Sequence, residues 1–343
     1  MLERDLLYLP CRHHIYELIL RSIFECKMPA SSAPEVPTFT RFQKSWSQIN
    51  KSNFKSGNEI NKIQNLPLYE LDNLKVFLQS NLENNQPRED HKKLLELPLL
   101  FLGDVPNRQI SFRRPGAMQH ARWMAKAIDC LKIFLFREEF NLSAEEYNGI
   151  CDICICIVRV YVKVWFRAPF AVEAAKTDLD FFKNMVLYND VDDTISQVAI
   201  RKFTNHLWYL SPEPIAMAFF DNNISPNIKR KMVKALESPE EDSNIDHSPK
   251  QFNTKLEDIS VLVGKGIEYF VSKETKLFFK RFHINTTFLQ NIPVTWYQDD
   301  NYRQALDIIS KLKVVNDIAE RAVNLISEYN KCIVNLLYNL TYI

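Results

Sequence analysis

Along most of the chain, apolar residues return every three or four positions, the spacing that gathers them on one face of a helix. The first such stretch runs from Cys11 to Cys26, where Ile15, Leu18, Ile19 and Ile23 recur, and it ends before Pro29. Ahead of it, residues 6–9 form a short apolar run that reads as a single strand. Ser31–Pro37 is a Ser/Pro-containing connector, and residues 50–65 turn to Lys, Asn and Ser with little periodicity, which predicts a surface loop. Helical spacing resumes over 69–82 and 90–102. It is clearest over 116–137, where Ala117, Ala121, Met124, Ala125, Ile128, Leu131 and Leu135 form a stripe opposite Arg122, Lys126, Asp129 and Lys132. Ser143 followed by Glu146 predicts a capping box, opening a helix that continues to Arg167, short of Pro169. Further helices are expected over 172–188, 191–210, 212–221 and 226–237. Residues 238–253 are polar, acidic and flanked by proline, as a linker would be, and helical spacing returns over 255–282, 302–312 and 314–329. The pattern predicts a mainly α protein with one N-terminal strand at most.

Composition sharpens this picture. The chain has 343 residues, 46% hydrophobic and 25% charged, which is globular and excludes a mainly disordered polymer. It contains only 6 glycines, where average usage would give roughly two dozen. Hairpin-rich sheets and Gly-rich phosphate loops are therefore disfavoured. With 43 Lys+Arg against 42 Asp+Glu, bulk charge cannot hold the protein on nucleic acid, although a local basic patch can. The odd number of cysteines, seven, without an even framework of spacings, points to reduced thiols and an intracellular setting. Residues 1–5 do not read as a signal peptide. The most apolar run, 150–166, is broken by Asp152, Arg159 and Lys163 and falls short of the ~20 residues a membrane span needs. No membrane partner is expected.

Several constellations carry candidate chemistry. Cys11 and His14 have the spacing of half a zinc site, which Cys151 and Cys154 would complete, but those two lie in the most apolar helix, where cysteine behaves as a small hydrophobe. His13 and His14 could orient a phosphate or a carboxylate; a capped or exposed pair is the commoner outcome. Arg113 and Arg114 lead into a helix carrying His120, Arg122, Trp123 and Lys126, a basic and aromatic set able to grip a phosphate backbone or stack a base. Asp129, Glu138 and Glu139 dilute that patch, so a solvated helix face is the stronger reading of it. Lys229, Arg230, Lys231 and Lys234 form a weaker basic run, which Met232, Val233 and Leu236 suit equally well to an amphipathic helix. Asp317, Glu320 and Glu328 share the polar side of the last helix, where carboxylates could hold a divalent metal but usually face solvent. The Gly-x-Ser-x-Gly and His-Glu-x-x-His signatures are absent.

Three of these pieces, in this order, resemble hAT-type transposases. Cys11-x-x-His14-x-Tyr16-Glu17-Leu18 resembles that family's Cys-x-x-His-x-Leu-Asn-Leu signature, and Arg122-Trp123 resembles its Arg-Trp pair. Near the end, Asn316-Asp317-Ile318-Ala319-Glu320-Arg321-Ala322-Val323 is similar to its Ala-Ala-Ser-Glu-Arg-x-Phe-Ser segment. The resemblance implies an RNase H-like core interrupted by a helical insertion domain: residues 1–28 as core remnant, 29–250 as insertion, and 251–343 completing the remnant.

Such enzymes hold two Mg²⁺ with two Asp and one Glu. Glu320 alone matches a catalytic position, with Arg321 beside it as a phosphate contact and Cys11 and His14 flanking the site. Arg113, Arg114, Arg122, Trp123 and Lys126 would meet DNA. Both Asp of the family precede the Cys/His segment, and only ten residues do so here. The resemblance therefore implies the C-terminal part of a transposase, without cofactor of its own, catalytically incompetent, nuclear, with residual DNA affinity and a capacity to self-associate. Two other classes stay open: a helical protein–protein scaffold, and an unrelated enzyme using Cys11 and His14 as nucleophile and base.

Overall fold

The computed structural model describes residues 7–28, 36–104, 110–116, 123–237, 259–316, 325 and 329. In chain order its helices are α1 (Arg12–Lys27), α2 (Pro37–Ser45), α3 (Asn61–Gln64), α4 (Leu68–Glu83), α5 (Glu89–Phe101), α6 (Trp123–Leu135), α7 (Ala144–Cys156), α8 (Val162–Arg167), α9 (Ala174–Leu187), α10 (Asp193–Phe203), α11 (Pro226–Glu237), α12 (Ile259–Val263), α13 (Lys276–Arg281) and α14 (Asp300–Ser310). Among the described residues there is no strand, so the fold is mainly α. The run expected as a strand is irregular over residues 7–9; among the described residues no extended neighbour supplies ladder partners, and Tyr8 lies edge-on to Trp208 with ring centroids 5.3 Å apart. No helix among the described residues is long and apolar enough to cross a membrane.

Contacts divide the chain into two compact units, each assembled from two separate stretches: Met1–Cys26 with Lys163–Val315, and Lys27–Val162 with Asn316–Ile343. The expected linker at 238–253 and the helix over 314–329 lie almost wholly outside the described residues.

In the first unit α1 is an interior helix. Arg12, at 1% exposure, is among the largest fully buried side chains. Its guanidinium donates to the carbonyls of Arg167 (3.2 Å), Ala168 (3.0 Å) and Ala174 (3.3 Å), to the Tyr16 hydroxyl (2.9 Å) and to Asp178 Oδ1 (2.9 Å). Tyr16 donates to the same carboxylate oxygen at 2.5 Å. Arg167 and Ala168 stand at the end of α8, where backbone carbonyls have no partner further along the helix, so Arg12 serves as a long-range cap. Burial pushes the Asp178 carboxyl up, and Arg12 and Tyr16 pull it only part of the way back. Next to them the His13 ring stacks on Trp165, centroids 4.1 Å apart and planes 4° off parallel. Its Nε2 lies 3.0 Å from the Trp165 carbonyl oxygen, an acceptor, so that nitrogen carries the proton.

The rest of this unit departs from the expected run of long helices. The stretch 255–282, expected as one helix, is described from 259 and breaks into α12, two short 3₁₀ turns and α13, with Gly264, Gly266 and Ser272 at the breaks. Residues 214–220 form a fully buried 3₁₀ helix rather than an α-helix. Its last residues feed an aromatic nucleus in which Phe220 stacks on Tyr302 (5.1 Å) and Phe288 meets Trp296 edge-on (5.3 Å).

In the second unit α5, α6 and α7 pack each against the next, with α4 on α5. Every residue of α5 from Lys93 to Phe101 is buried, so it is the central helix and shows no polar face. Its two charged members there are satisfied together, Lys93 donating to Glu96 at 2.6 Å. α7 begins with the expected capping box, Ser143 accepting from the Glu146 backbone (3.1 Å) and Glu146 from that of Ser143 (3.0 Å). A π-helical turn over Ile157–Tyr161 and then α8 carry the helical path to Arg167, as the periodicity predicts. Gly149 is required by packing: a Cβ there would lie 2.3 Å from the Lys27 carbonyl oxygen.

Removing the carboxylate beneath Arg12 tests this description. Asp178→Ala, which leaves a guanidinium buried without its counter-charge, is expected to lower unfolding free energy by about 3–5 kcal/mol. Tyr16→Phe, which removes one hydroxyl from the same network, is expected to cost about 1 kcal/mol. Urea titrations followed by circular dichroism measure both.

Candidate nucleic-acid interface

The described basic candidates Arg113, Arg114 and Lys126 lie in the second unit, and the first two are set by short local structure. α2 opens with Pro37, whose fixed φ suits the first helical position. Its apolar side buries Thr38, Phe39 and Phe42, so Arg41 and Lys44 face out. Trp46, buried next to Phe42 (5.5 Å) and Phe136 (5.8 Å), is crossed by two cations: Lys51 Nζ lies 5.2 Å and Lys132 Nζ 5.8 Å from its ring centroid. Residues 110–116 run alongside without regular structure. Phe112 holds them against Phe54 (5.9 Å) and Phe136 (4.9 Å), and the Gln43 amide donates to the carbonyls of Pro115 (3.4 Å) and Gly116 (3.1 Å). Phe112 is half-buried and Pro115 buried, so the two exposed residues between them, Arg113 and Arg114, are fixed at the backbone while their side chains extend into solvent.

Segments 36–62 and 110–116 together contain seven Lys/Arg and a single acidic residue, Glu59. Some of this charge is matched from elsewhere. Arg41 donates to both oxygens of Glu146 (3.1 and 2.9 Å), and Lys55 lies 3.5 Å from Glu138. Glu139 accepts from the Asn50 backbone (3.4 Å) and the Asn53 amide (2.5 Å). Lys44, Arg113 and Arg114 are exposed, and among the described residues their side chains make no ion pair or hydrogen bond. The two segments, tied together through Gln43 and Phe112, thus carry paired charges at Arg41 and Lys55 and, at Lys44, Arg113 and Arg114, cations without a partner among the described residues. Such a surface attracts phosphate oxygens without reading sequence.

Burial pushes the Glu146 carboxyl up, but hydrogen bonds from Thr38, the Ser143 backbone and Arg41 outweigh it and hold the group below its ordinary value of 4.5. Glu146 therefore ties α2 to the start of α7.

The remaining sequence candidates fall elsewhere. Trp123 is the first residue of α6, and Lys126 sits half-buried on that helix. Arg122, Glu320 and Arg321 lie outside the described residues. Cys11 is half-buried just ahead of α1, and His14 is exposed on α1, in the first unit. Among the described residues no group of three or more His, Cys, Asp or Glu could hold a metal ion. Cys154 and Cys156 are buried within α7, and burial pushes the Cys151 thiol up to about 11 and that of Cys154 well above its ordinary value.

The run at Lys229–Lys234 is not a free basic patch. Lys229 is buried with its Nζ 5.6 Å from the Trp296 ring, and burial lowers its pKa to about 8; Lys231 lies 3.8 Å from Glu268. Sequence reading passed over Lys44, Lys51 and Lys55, although the charge imbalance across 36–62 signals them.

No protein-family model, no curated protein and no solved structure matches the chain.

The Glu146 arrangement has a pH signature. A carboxyl whose folded pKa lies below its unfolded value contributes stability that is present above the unfolded value and fades as pH falls through the folded one. Glu146→Gln is therefore expected to be less stable than the wild type at neutral pH, with the gap narrowing below about pH 4.5. Urea midpoints measured over that range check it.

Proposed function

We propose that this is a transposase-derived helical protein that binds DNA through the second unit without cutting it, and that it acts in the nucleus. The observation that carries the reading is that Lys44, Arg113 and Arg114, on segments tied together by Gln43 and Phe112, are exposed and have no partner among the described residues. The ordered motifs at Cys11–Leu18, Arg122–Trp123 and Asn316–Val323 support the descent. Within that descent Glu320 is the one residue here that matches a catalytic carboxylate of the family's motifs, and one carboxylate does not repay the dehydration of two Mg²⁺ ions. Binding would be electrostatic, tolerant of sequence and sensitive to salt.

A second reading, a protein–protein scaffold, draws on one observation. Leu68, Tyr69 and Val76 of α4 are 77%, 70% and 62% exposed, an apolar set on a helix that buries only Leu74 and Leu78. Sedimentation that shows self-association abolished by Leu68→Glu, with no affinity for DNA at low salt, would favour this reading over the first.

Anisotropy titrations of labelled duplex DNA against salt test the main proposal. Replacing Arg113 and Arg114 with Gln is expected to weaken binding equally for unrelated sequences and to reduce the slope of log K against log salt by about 2. An unchanged slope, or no salt-dependent binding by the wild type, overturns it. In parallel, no Glu320-dependent strand cleavage is expected in Mg²⁺ or Mn²⁺.

A further inference from the structure

The first unit contains a small groove between α11, which contributes Arg230 and Val233, and residues 289–293. Its volume is about 220 Å³. Small-molecule sites occupy roughly 300–1,000 Å³, so this one is closer to what a single side chain fills.

Both walls are fixed from beneath. Met232 and Leu236 bury the apolar side of α11, leaving Val233 half-buried at the groove. Opposite, 3₁₀ turns over Thr287–Gln290 and Pro293–Gln298 set the buried rings of Phe288 and Trp296 into the aromatic nucleus. The Trp296 indole donates to the Asn291 carbonyl at 3.1 Å, and the Asn291 backbone donates to that of Phe288 at 3.0 Å. The segment between the turns is therefore preformed, and a ligand has little left to order. Ile292, in the lining, and Val294, just beyond it, nevertheless stand 57% and 67% exposed. A lone exposed apolar residue is ordinary; two beside a rigid concavity offer a contact from which water can be excluded.

Charge reaches this groove from one side. Residues 284–298 carry no Asp, Glu, Lys or Arg, whereas α11 has four basic residues and one acidic, Glu237 at its end. Two of the four are engaged, Lys229 buried over the Trp296 ring and Lys231 facing Glu268. Arg230 and Lys234 lie one helical turn apart on the same face. Both are exposed, and among the described residues their side chains make no ion pair or hydrogen bond. The acids that follow the loop are already used: Asp299 accepts from the Asn301 backbone (2.8 Å) and the Asn291 amide (3.2 Å), and Asp300 pairs with Arg303. Among the described residues the lining itself holds one cation and no carboxylate.

A nucleic-acid strand fits poorly, because the lining presents no aromatic ring on which a base could stack. A free phosphate would leave the aliphatic wall unused. A peptide uses both features. We propose that this groove docks an acidic segment of a partner protein, one aliphatic side chain entering between Val233 and Ile292 and its flanking carboxylates meeting Arg230 and Lys234. The inference goes beyond DNA binding by the second unit and shares no side chain with it or with the exposed residues of α4, so each can fail alone.

Anisotropy titration of the full chain tests it with a labelled pentapeptide, leucine between two glutamates on either side. Saturable binding is expected, roughly tenfold weaker when alanine replaces leucine and roughly tenfold weaker when glutamine replaces the glutamates. Ile292→Glu, which sets a carboxylate in the aliphatic wall, should weaken it by more than roughly tenfold. Arg230→Glu combined with Lys234→Glu should lose the acidic peptide and gain a counterpart in which lysine replaces each glutamate. The Arg113→Gln, Arg114→Gln double variant should bind the peptide as the wild type does, and unlabelled duplex DNA should not displace it from that variant.

The proposal is overturned if the acidic peptide does not bind saturably, or if the alanine peptide binds as tightly. It is equally overturned if the charge-reversed variant, with a wild-type unfolding midpoint, keeps its preference for glutamate. Displacement by duplex DNA or inorganic phosphate would show a general anion site and overturn it as well.

Discussion

In the first unit a guanidinium sits where water does not reach, and the surrounding backbone is arranged to meet it. Arg12 is fully charged at any ordinary pH, so its interior position is tolerable only with a counter-charge and with acceptors for its N–H groups. Asp178 supplies the charge, while the end of α8 and the first residue of α9 supply carbonyls. Those carbonyls gain as well, because a helix end leaves acceptors unsatisfied. One side chain thereby fixes α1 against two other helices, and the surrounding contacts follow from that placement. His13 reaches the face of Trp165, and the Tyr209 hydroxyl donates to the Pro10 carbonyl at 2.6 Å.

The second unit solves a different problem. Its central helix α5 is apolar nearly all round, so charge is displaced to the flanking loops and to α2. Short aromatic anchors then hold those loops: Phe112 for residues 110–116, Trp46 for the turn after α2, Phe134 beneath Arg137. The cations consequently stand on rigid supports, and little ordering entropy remains to be lost when an anion arrives. The basic face draws on this arrangement.

Amphipathic spacing marks the helices that bury one face on a neighbour. It therefore places α4, α5 and α7 within a residue or two, and the Ser143–Glu146 box marks the start of α7. The aromatic nucleus of the first unit was not legible, because 3₁₀ turns are stabilised by the rings they bring together and not by a local repeat. Pro214–Phe220 is apolar at six of seven positions beyond any periodicity, and reads equally well as an α-helix. α2 was missed because it is short and follows a connector; only Pro37 at its start announces it. Arg113 and Arg114 stood out in sequence as a pair. The joining of their segment to α2 through Gln43 depends on chain stretches that meet only after folding. Burial of Arg12 and His13 carried no local sign, since its cause lies more than 150 residues away.

That separation bears on how the molecule is made. Asp178 follows Arg12 by 166 residues, and the whole stretch 27–162 belonging to the second unit is synthesised between them. At a translation speed of about 5–20 residues per second, α1 leaves the ribosome roughly ten to thirty seconds before its counter-charge exists. During that interval its apolar flank, Ile15, Ile19 and Ile23, lacks its native cover, while the second unit's own main stretch is already emerging. A nascent chain of this kind offers an early, long-lived docking target for a holdase chaperone.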